Sequence, residues 1–548
     1  MSFYKIKSLC RFRIVRGFIK WLKKTTLINY FKENADKCVK RLCKDYSPKK
    51  IRDEKIIRDV VWGFNLFYKH EMNVIDCPIL QRLRRIKQTA LAYFTYPTAI
   101  HSRFEHSLGA TTIAGKIIDT LNLKLSERNE PQIPEHKKYE IRLAALLHDI
   151  GHGPFSHGSE EYFKTNPIFQ KLALIDPYFG DLPAGEVLTY FIVESPTLKN
   201  IWNKIKSLYK QDTKYYEALN NVNLDNIGEM ILGKDVQNDE YSYLAKIING
   251  PFDVDKLDYI QRDGYFTGLK LQVDVERLLL SLDVWRHNGD SALCVSIGGI
   301  GALEQLLFSK MVLYHSVYHH HKIRSSVYNL FSLFDYIRAN GGVSNVSLND
   351  SIEYDSHRRP FPNPFDFLLL DDNSILNLCY VNNKVNAEVE KLLNRNLYKR
   401  ALVVNLWTIE DTNNMTEACY LRFLVNKEFR ENIRKEIANR CGLNLDNVII
   451  DVPDKPKFEK ISLDAKVKIT QKKVVDLEAV YPTRGWVTGY AQFKYNVYVF
   501  CSPEYQEKVG KAAFSVFKEN GIFLKVEALE LAKQNIDLIE DMQYKTLS

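Results

Sequence analysis

The sequence predicts a mainly α-helical protein with an α+β extension at its C-terminal end. Apolar residues recur at helical spacing through most of 51–340, whereas short β-rich runs separated by helical stretches follow beyond residue 365. Between these regions the chain is rich in Gly, Asn, Ser and Pro, which is typical of a connector. We therefore expect a basic N-terminal segment at 1–50, a helical core at 51–340, a connector at 341–365 and an α+β domain at 366–548.

Three stretches support the helical prediction for the core. Residues 103–121 repeat large apolar side chains at helical spacing, and residues 139–150 are apolar on most sides, as in a helix through the middle of a core. Residues 299–335 have the pattern of a further long, mainly buried helical segment. In the C-terminal region, β-rich runs lie at 401–407, 447–452 and 496–501, separated by helical stretches such as 425–440 and 504–520.

Composition limits the class of protein. The 548 residues are 45% hydrophobic and 26% charged, which excludes collagen-like, disordered and disulfide-scaffold proteins. No run approaches the about 18 uninterrupted apolar residues that a membrane-spanning helix needs. The nine cysteines include no Cys-x-x-Cys pair, so we expect reduced thiols, a cytoplasmic location and no cysteine-ligated zinc.

The basic charge of the protein is concentrated at the N-terminus. Residues 1–50 hold 15 Lys and Arg against 3 acidic residues, while the rest of the chain carries 61 basic and 64 acidic residues. Such a segment is able to contact nucleic acid or an anionic membrane surface. The simpler interpretation, a solvated leader helix packed on the body, is preferred, and no secretory signal is expected.

The histidines are concentrated in three short stretches of the sequence, and this pattern is the main indication of the protein's chemistry. They lie at 101–106, at 148–157 and at 315–321, and an acidic cluster at 253–263 lies between the last two. His148 and Asp149 are adjacent at the end of an apolar helix, where an ionised carboxylate is costly unless it is paired. A metal ion would resolve this cost, because imidazole nitrogen and carboxylate oxygen both bind transition metals.

Four motifs resemble those of a known enzyme family. His106, the His148-Asp149 pair and Asp255 are similar to the H…HD…D metal signature of the HD-domain phosphohydrolases. The surrounding sequence resembles the deoxynucleoside-triphosphate triphosphohydrolase branch, which includes the SAM-and-HD-domain and bacterial dGTPase-like enzymes. The motifs that carry this resemblance are IDCPILQRLRRIKQ (75–88), HSRFEHSLGA (101–110), LLHDIGHGPFSH (146–157) and FDVDKLDYIQRDGYFTG (252–268).

The resemblance implies a metal centre and a set of roles. It implies one divalent transition metal, Mn, Fe or Zn with Mg as an alternative, held by His106, His148, Asp149 and Asp255. His152 is expected to exchange a proton with the attacking water or the leaving oxygen. The alternative role of His152 is to support the metal ligands through hydrogen bonds. Glu160 is expected to correspond to the family's catalytic acid.

The resemblance also implies a substrate-binding set. Arg103 and Lys256 would contact phosphates, Tyr259 and Asp263 the sugar, and Gln88 the 3′-hydroxyl. The full set of expected substrate-binding residues is Gln88, Thr89, Arg103, Lys256, Tyr259, Asp263, Lys310, Tyr318 and His320.

Three positions depart from the family pattern. Thr89 stands where an apolar side chain usually packs on the sugar, and a threonine is able to accept a ribose hydroxyl. Gly185 stands where some members place a second catalytic His, just before Glu186. His321 stands where the family usually has Lys. Deoxyribose selectivity and the route of proton transfer therefore stay open.

The resemblance implies hydrolysis of (deoxy)nucleoside triphosphates to nucleoside and inorganic triphosphate, by water attack at the α-phosphorus. Two alternatives stay open: an HD-type nuclease or phosphodiesterase acting on oligonucleotides or a nucleotide second messenger, and a non-catalytic regulator that binds nucleotide or nucleic acid. Expected partners are nucleoside triphosphates, further copies of the chain in a dimer or tetramer, a nucleotide effector, and nucleic acid at the basic N-terminus.

Overall fold

A computed structural model of the chain describes residues 25–163, 166–175, 177–180, 182–234, 240–339, 363–377, 389–410, 426–453 and 464–533. The first 24 residues of the basic N-terminal segment and most of the expected connector lie outside these residues. Within them the chain forms two compact units. Unit 1 comprises Met1–Ser309, Asp335–Val381 and Lys460–Val480, and unit 2 comprises Lys310–Phe334, Asn382–Glu459 and Tyr481–Ser548. The domain boundaries expected from composition stay a prediction.

Five helices of unit 1 position the residues of interest. They are α1 (Arg103–Glu127), α2 (Glu135–Leu147), α3 (His157–Phe163), α4 (Ala184–Val193) and α5 (Val254–Thr267). Helix α1 packs against both α2 and α5. Each of the three helices contributes apolar side chains that have no exposed surface, among them Ile113, Leu146 and Leu257. This packing brings the ends of three helices that are distant in sequence into one place.

The ends of these helices are fixed by local sequence. Ser102 and Glu105 form a capping box at the start of α1, in which the Ser102 amide donates to Glu105 Oε2 at 2.9 Å. Asp253 caps α5 by accepting the Lys256 amide at 2.9 Å. Gly268 ends α5 at a φ of 74°, a left-handed conformation that favours glycine. The side chains of the motifs therefore start from defined helix ends.

The remaining helices complete the two units. A helix at 25–42 precedes them. The others are Lys69–Ile75, Pro78–Gln81, Pro167–Ile175, Pro177–Gly180, Pro196–Ser207, Thr213–Asn220, Leu224–Leu232, Val275–Ser281, Ile300–Leu313, His321–Ala339, Pro364–Phe367, Asp372–Leu376, Lys427–Arg440, Leu477–Val480, Thr483–Lys494, Gln506–Glu519 and Glu527–Lys533.

The described residues form three small sheets. Their strands are β1 (Lys55–Asp59), β2 (Gly63–Phe67), β3 (Leu282–His287), β4 (Asp290–Ser296), β5 (Lys399–Val404), β6 (Val448–Asp451), β7 (Lys466–Thr470), β8 (Lys473–Asp476) and β9 (Val497–Cys501). In unit 1, β1 and β2 form a hairpin, and β3-β4-β7-β8 form a sheet in which β4 and β7 run parallel. Residues 466–476 thus add two strands to a sheet that begins at residue 282.

Unit 2 contains the sheet β5-β9-β6, in which the central strand β9 is antiparallel to both neighbours. Its strands are almost wholly buried, and the core that they form includes Leu402, Ile450 and Val499. The helices Lys427–Arg440 and Gln506–Glu519 pack on this sheet through Ile433, Ile437, Val509 and Phe517. The β-rich runs predicted at 401–407, 447–452 and 496–501 correspond to these strands.

The predicted fold class, mainly α with a sheet-containing C-terminal region, is confirmed. The helical interpretation of 51–340 missed the β1–β2 hairpin at 55–67 and the β3–β4 hairpin at 282–296. Both hairpins are short; β1 begins and ends with a charged residue and β4 begins with one, which masks the alternation of apolar and polar residues. Among the described residues, no helix is both long and apolar enough to cross a bilayer.

Candidate metal centre

The four residues predicted to bind metal come together in unit 1. His106 lies on α1, His148 and Asp149 directly follow α2, and Asp255 lies in the first turn of α5. His106 Nε2 lies 3.1 Å from both His148 Nε2 and Asp255 Oδ1, and 3.6 Å from Asp149 Oδ2. His148 Nε2 lies 3.5 Å from Asp149 Oδ1 and 3.8 Å from Asp255 Oδ1. Ligands of one ion with bonds of about 2.1 Å are separated by about 3 to 4 Å, so the Nε2 atoms of His106 and His148 and a carboxylate oxygen of Asp255 fit a single metal. Asp149 faces the two imidazoles with a different oxygen each and lies outside this group of three.

The chemistry of the four groups also fits a cation. His106 Nδ1 lies 2.7 Å from Asp258 Oδ2, and His148 Nδ1 lies 2.7 Å from the Ala145 carbonyl. Each acceptor requires a proton on Nδ1, which leaves both Nε2 atoms as lone-pair donors facing two carboxylates. Four electron-pair donors that converge in this way need a proton or a metal between them. The His106 side chain has no exposed surface, whereas that of Asp255 is 39% exposed, so the group opens to solvent at Asp255.

Charges around the centre keep its carboxylates ionised. Burial alone would raise the pKa of Asp149, but the Arg103 guanidinium and then His148 and His152 outweigh it and hold the pKa well below its usual range. Arg103 Nη1 donates to Asp149 Oδ2 at 2.6 Å. For His106, burial opposes the charged form, yet hydrogen bonds to Asp255 and Asp258 raise its pKa to about 10. Without a metal, protons are thus held where the cation would sit.

The two residues predicted to be catalytic lie beside the centre. His152 Nε2 is 3.3 Å from Asp149 Oδ1, and His152 Nδ1 is 3.5 Å from Glu160 Oε1. Glu160 Oε2 also pairs with His157 Nδ1 at 2.6 Å, and the Gly185 amide donates to Glu160 Oε1 at 2.6 Å. His157 was overlooked at the sequence level, although its place three residues before Glu160 on a helix would have indicated the pair.

The loop between His152 and α3 is strained and anchored from far along the chain. Phe155 and Ser156 have φ values of 57° and 49°, which non-glycine residues rarely adopt. Asp372 accepts the amides of Phe155 at 2.7 Å and of Lys87 at 2.9 Å. Ser156 Oγ donates to the Lys87 carbonyl at 2.6 Å and accepts from Arg103 Nε at 2.8 Å. Asp372, which nothing in the local sequence pattern indicates, therefore ties this loop to the segment that carries Gln88.

Two basic residues expected to contact phosphates have protein partners. All three guanidinium nitrogens of Arg103 are engaged, by Asp149, Ser156 and His157. Lys256 Nζ contacts Asp253 and donates to the Gly250 carbonyl at 2.9 Å. The phosphate-binding roles of Arg103 and Lys256 stay predictions.

The residues expected to contact the sugar are also in unit 1. Gln88 is buried and its Oε1 has no hydrogen-bond partner among the described residues, which is the kind of acceptor that a substrate hydroxyl satisfies. The Thr89 hydroxyl lies 3.5 Å from the Ala99 carbonyl. Asp263 pairs with His101 at 2.7 Å, and Tyr259 is half-buried one helical turn beyond Asp255. Their contacts with substrate stay predictions.

Three further predicted residues lie in unit 2. Lys310 is buried near the end of the helix Ile300–Leu313, and its ammonium lies 6.0 Å from the ring of Tyr314. Tyr318 belongs to a short π-helix at Tyr314–Tyr318, and His320 stacks near His321 at 4.5 Å between ring centroids. Their substrate-binding roles stay predictions.

Comparison with known proteins supports the interpretation of the site. A family model described as "HD domain" matches residues 103–210, and one described as "HD associated region" matches residues 348–521. The deoxynucleoside triphosphate triphosphohydrolase SAMHD1 of Bos taurus is 27% identical over 434 residues, which is 73% of this chain and 66% of that protein. The SAMHD1 homolog of Dictyostelium discoideum is 29% identical over 363 residues, 65% of this chain and 61% of that protein.

A third relative, the "Uncharacterized protein MJ1154" of Methanocaldococcus jannaschii, is 30% identical over 271 residues, 49% of this chain and 47% of that protein. The chain thus spans about half to two thirds of the length of these relatives. Of the four predicted metal ligands, His106, His148 and Asp149 fall inside the HD-domain match, and Asp255 lies beyond its end. The chain is therefore similar to HD-domain proteins over an HD domain and an HD associated region, and the resemblance to the deoxynucleoside triphosphate triphosphohydrolase branch is confirmed.

Proposed function

We propose that this protein is a metal-dependent hydrolase that cleaves (deoxy)nucleoside triphosphates to nucleoside and inorganic triphosphate. The observation that carries the proposal is the convergence of His106, His148, Asp149 and Asp255, with the Nε2 atoms of both histidines facing two carboxylates. The relatives named for triphosphohydrolase activity favour this substrate over other phosphate esters.

His106, His148, Asp149 and Asp255 would hold one divalent metal, Mn, Fe or Zn. When bound, such a metal would polarise a phosphoryl oxygen and lower the pKa of a water molecule. Asp149 lies between this centre and Arg103, and its paired charge keeps it ionised as a ligand. Asp255 is the ligand nearest to solvent, so the substrate would approach on its side.

His152 is the proposed proton acceptor. Burial, and then the neighbouring Arg103 charge, lower its pKa, so the imidazole is neutral at pH 7 and able to take a proton from water. Its Nε2 points towards Asp149 at 3.3 Å, beside the proposed metal position. In this role His152 would hold the proton and return it to the leaving oxygen.

Glu160 is proposed to act as an ionised carboxylate. Burial opposes ionisation, but His152 and the hydrogen bond from His157 lower the pKa of Glu160 below its usual range. The carboxylate would orient His152 on one side and His157 on the other. His157 is 70% exposed, so its imidazole is available to a substrate phosphate.

Product analysis tests the proposal. Protein stripped with EDTA and reloaded with Mn²⁺ is given the four dNTPs and four NTPs, singly and mixed, and nucleoside and phosphate products are separated. Release of nucleoside with intact triphosphate, lost in EDTA and in a His148→Ala, Asp149→Ala double variant, is expected. The ratio of dNTP to NTP turnover reports whether Thr89 admits ribose, and turnover only in mixtures indicates an effector nucleotide. Absence of turnover of every triphosphate by Mn²⁺-loaded protein would refute the proposal.

A further inference from the structure

We infer that Asp258, Arg262 and the β1–β2 hairpin form a positioning chain for the metal ligand His106, so that the hairpin controls metal affinity. The inference rests on the metal centre of the proposed function. It assigns a role to Asp59 and Trp62, which lie 47 and 44 residues before His106, the first proposed metal ligand in the sequence.

Asp258 is the direct partner of His106. His106 Nδ1 lies 2.7 Å from Asp258 Oδ2, and neither side chain has exposed surface. A carboxylate at Nδ1 fixes the ring rotation and the tautomer, so that Nε2 points towards Asp255 and His148. An imidazole that can turn or exchange its proton binds a metal less well.

Asp258 is itself held on both oxygens. Arg262 Nε donates to Asp258 Oδ2 at 2.8 Å, and Arg262 Nη2 donates to Oδ1 at 2.9 Å, a two-pronged pair along α5. Trp62 Nε1 of the hairpin turn donates to Asp258 Oδ1 at 2.5 Å. Helix α1 leaves room for this pair at Gly109, where a Cβ atom would lie 1.9 Å from Asp258 Oδ1.

Asp59 joins the chain to the hairpin. Its Oδ2 accepts Arg262 Nη1 at 2.8 Å, while its Oδ1 accepts the amides of Val61 and Trp62, both at 2.8 Å. One carboxylate therefore closes the hairpin turn, orients Trp62 and pairs with the arginine that clamps Asp258. The turn and the metal ligand are connected without a gap through Asp59, Arg262 and Asp258.

A purely structural role does not account for this arrangement. The hairpin leaves Ile56, Val60 and Phe64 largely exposed, at 67%, 63% and 73%, so it gains little from apolar burial on that face. A buried ion pair is by itself weak evidence for stability, because the cost of removing charges from water offsets their attraction. The Asp258–Arg262 pair differs from an ordinary buried ion pair because the Asp258 carboxylate also contacts His106, a proposed metal ligand.

Metal affinity, measured apart from turnover, tests the inference. Apo full-length protein is titrated with Mn²⁺ and free Mn²⁺ is followed by electron paramagnetic resonance, for wild type, Asp258→Asn, Asp59→Asn and Trp62→Phe. Asn at 59 keeps the oxygen that closes the turn and replaces the one that faces Arg262. Phe at 62 removes the indole N–H and keeps an aromatic ring, although a smaller one. Asp53→Asn is the matched control, since Asp53 is exposed just before the hairpin.

We expect Asp258→Asn to weaken Mn²⁺ binding by about 10- to 100-fold, as supporting residues of metal sites do. Asp59→Asn and Trp62→Phe should weaken it less, and Asp53→Asn should leave it unchanged. Thermal unfolding in EDTA separates folding from affinity, and if Asp258→Asn does not fold, Trp62→Phe decides the question. Wild-type affinity in Trp62→Phe and Asp59→Asn would overturn the inference.

The two proposals fail in different ways. If wild type binds no Mn²⁺, the metal centre and the proposed function fail together. If wild type binds Mn²⁺, the His148→Ala, Asp149→Ala double variant does not, and the hairpin variants match wild type, only the positioning chain is refuted.

Discussion

At the scale of single residues, Gly185 lies against both side chains assigned to proton transfer. A Cβ atom built on it would be 2.4 Å from Glu160 Oε1 and 2.8 Å from His152 Cε1, and its amide donates to Glu160. The absence of a side chain at Gly185 thus leaves room for the approach of Glu160 to His152. A side chain at 185 and the present position of Glu160 exclude each other.

Gly185→Ala is therefore expected to displace Glu160 and His152 while leaving the metal ligands in place. A displacement of this kind costs about 10- to 100-fold in kcat. Steady-state kinetics on the best triphosphate substrate and Mn²⁺ titration together check it. Gly301→Ala is the matched control, since a Cβ atom there meets nothing within 4 Å. Unchanged kcat in Gly185→Ala would contradict the packing argument.

His106 gives a second prediction at this scale, concerning protons. In the metal-free protein its pKa is raised to about 10, so it is protonated at pH 7 and must lose that proton to bind a metal. Mn²⁺ binding at pH 7 should release about one proton and weaken as pH falls. Calorimetric titrations in buffers of different ionisation enthalpy measure this number. Binding heats that do not depend on the buffer would count against it.

At the scale of elements, the loop before α3 depends on the helix Asp372–Leu376. Asp372 is fully buried and accepts the amides of Phe155 and Lys87, whereas its neighbour Asp371 pairs with Arg85, which is 58% exposed. The two adjacent carboxylates therefore make different kinds of contact. One fixes two segments of the candidate site, and the other makes a surface ion pair of small energetic value.

Asp372→Ala should release the strained Phe155-Ser156 turn and lower kcat/KM by about 10- to 100-fold, because the loop connects His152 to Glu160, the two residues that we propose take part in the reaction. Asp371→Ala, the matched change at the next position, should stay within about threefold. Kinetics of the two variants, with circular dichroism to verify folding, provide the comparison. Equal losses in both would show that Asp372 has no special role.

The helix Lys69–Ile75 carries a prediction about acid stability. His70 has no exposed surface, contacts Tyr215 at 2.7 Å, and burial lowers its pKa to about 4. The unfolded chain takes up a proton near pH 6.5 and the folded protein does not until about pH 4. Stability from this group is therefore present above pH 6.5 and lost as pH falls.

The loss should reach about 2 kcal/mol between pH 6.5 and pH 5, at 1.36 kcal/mol for each pH unit. Urea unfolding of wild type and His70→Phe at pH 5, 6 and 7 measures it. The pH dependence of the free energy of unfolding should be shallower in the variant by this amount. Parallel curves would contradict the neutral, buried state of His70.

At the scale of the whole molecule, the sequence predicted what depends on local pattern. The helices around His106 and His148 and the strands near 401, 448 and 497 follow from periodicity, whereas the four proposed metal ligands were expected from the resemblance of their motifs to a known family. Asp372 and Asp59 could not be found in this way. Each acts through a partner more than 200 residues away, and no spacing rule reports such a contact.

The β3-β4-β7-β8 sheet has a consequence for how the chain matures. Val295 of β4 pairs with Val467 of β7, and the 169 residues 297–465 lie between these strands, including more than half of unit 2. At synthesis rates of about 5 to 20 residues per second, the edge of β4 waits roughly 10 to 35 s for its neighbour. Asp372 also emerges only after the loop that it anchors. A nascent chain that already contains every proposed metal ligand therefore still has an unpaired edge at β4 and a loop that Asp372 does not yet anchor. During this period chaperones or proteases can act on the exposed segments.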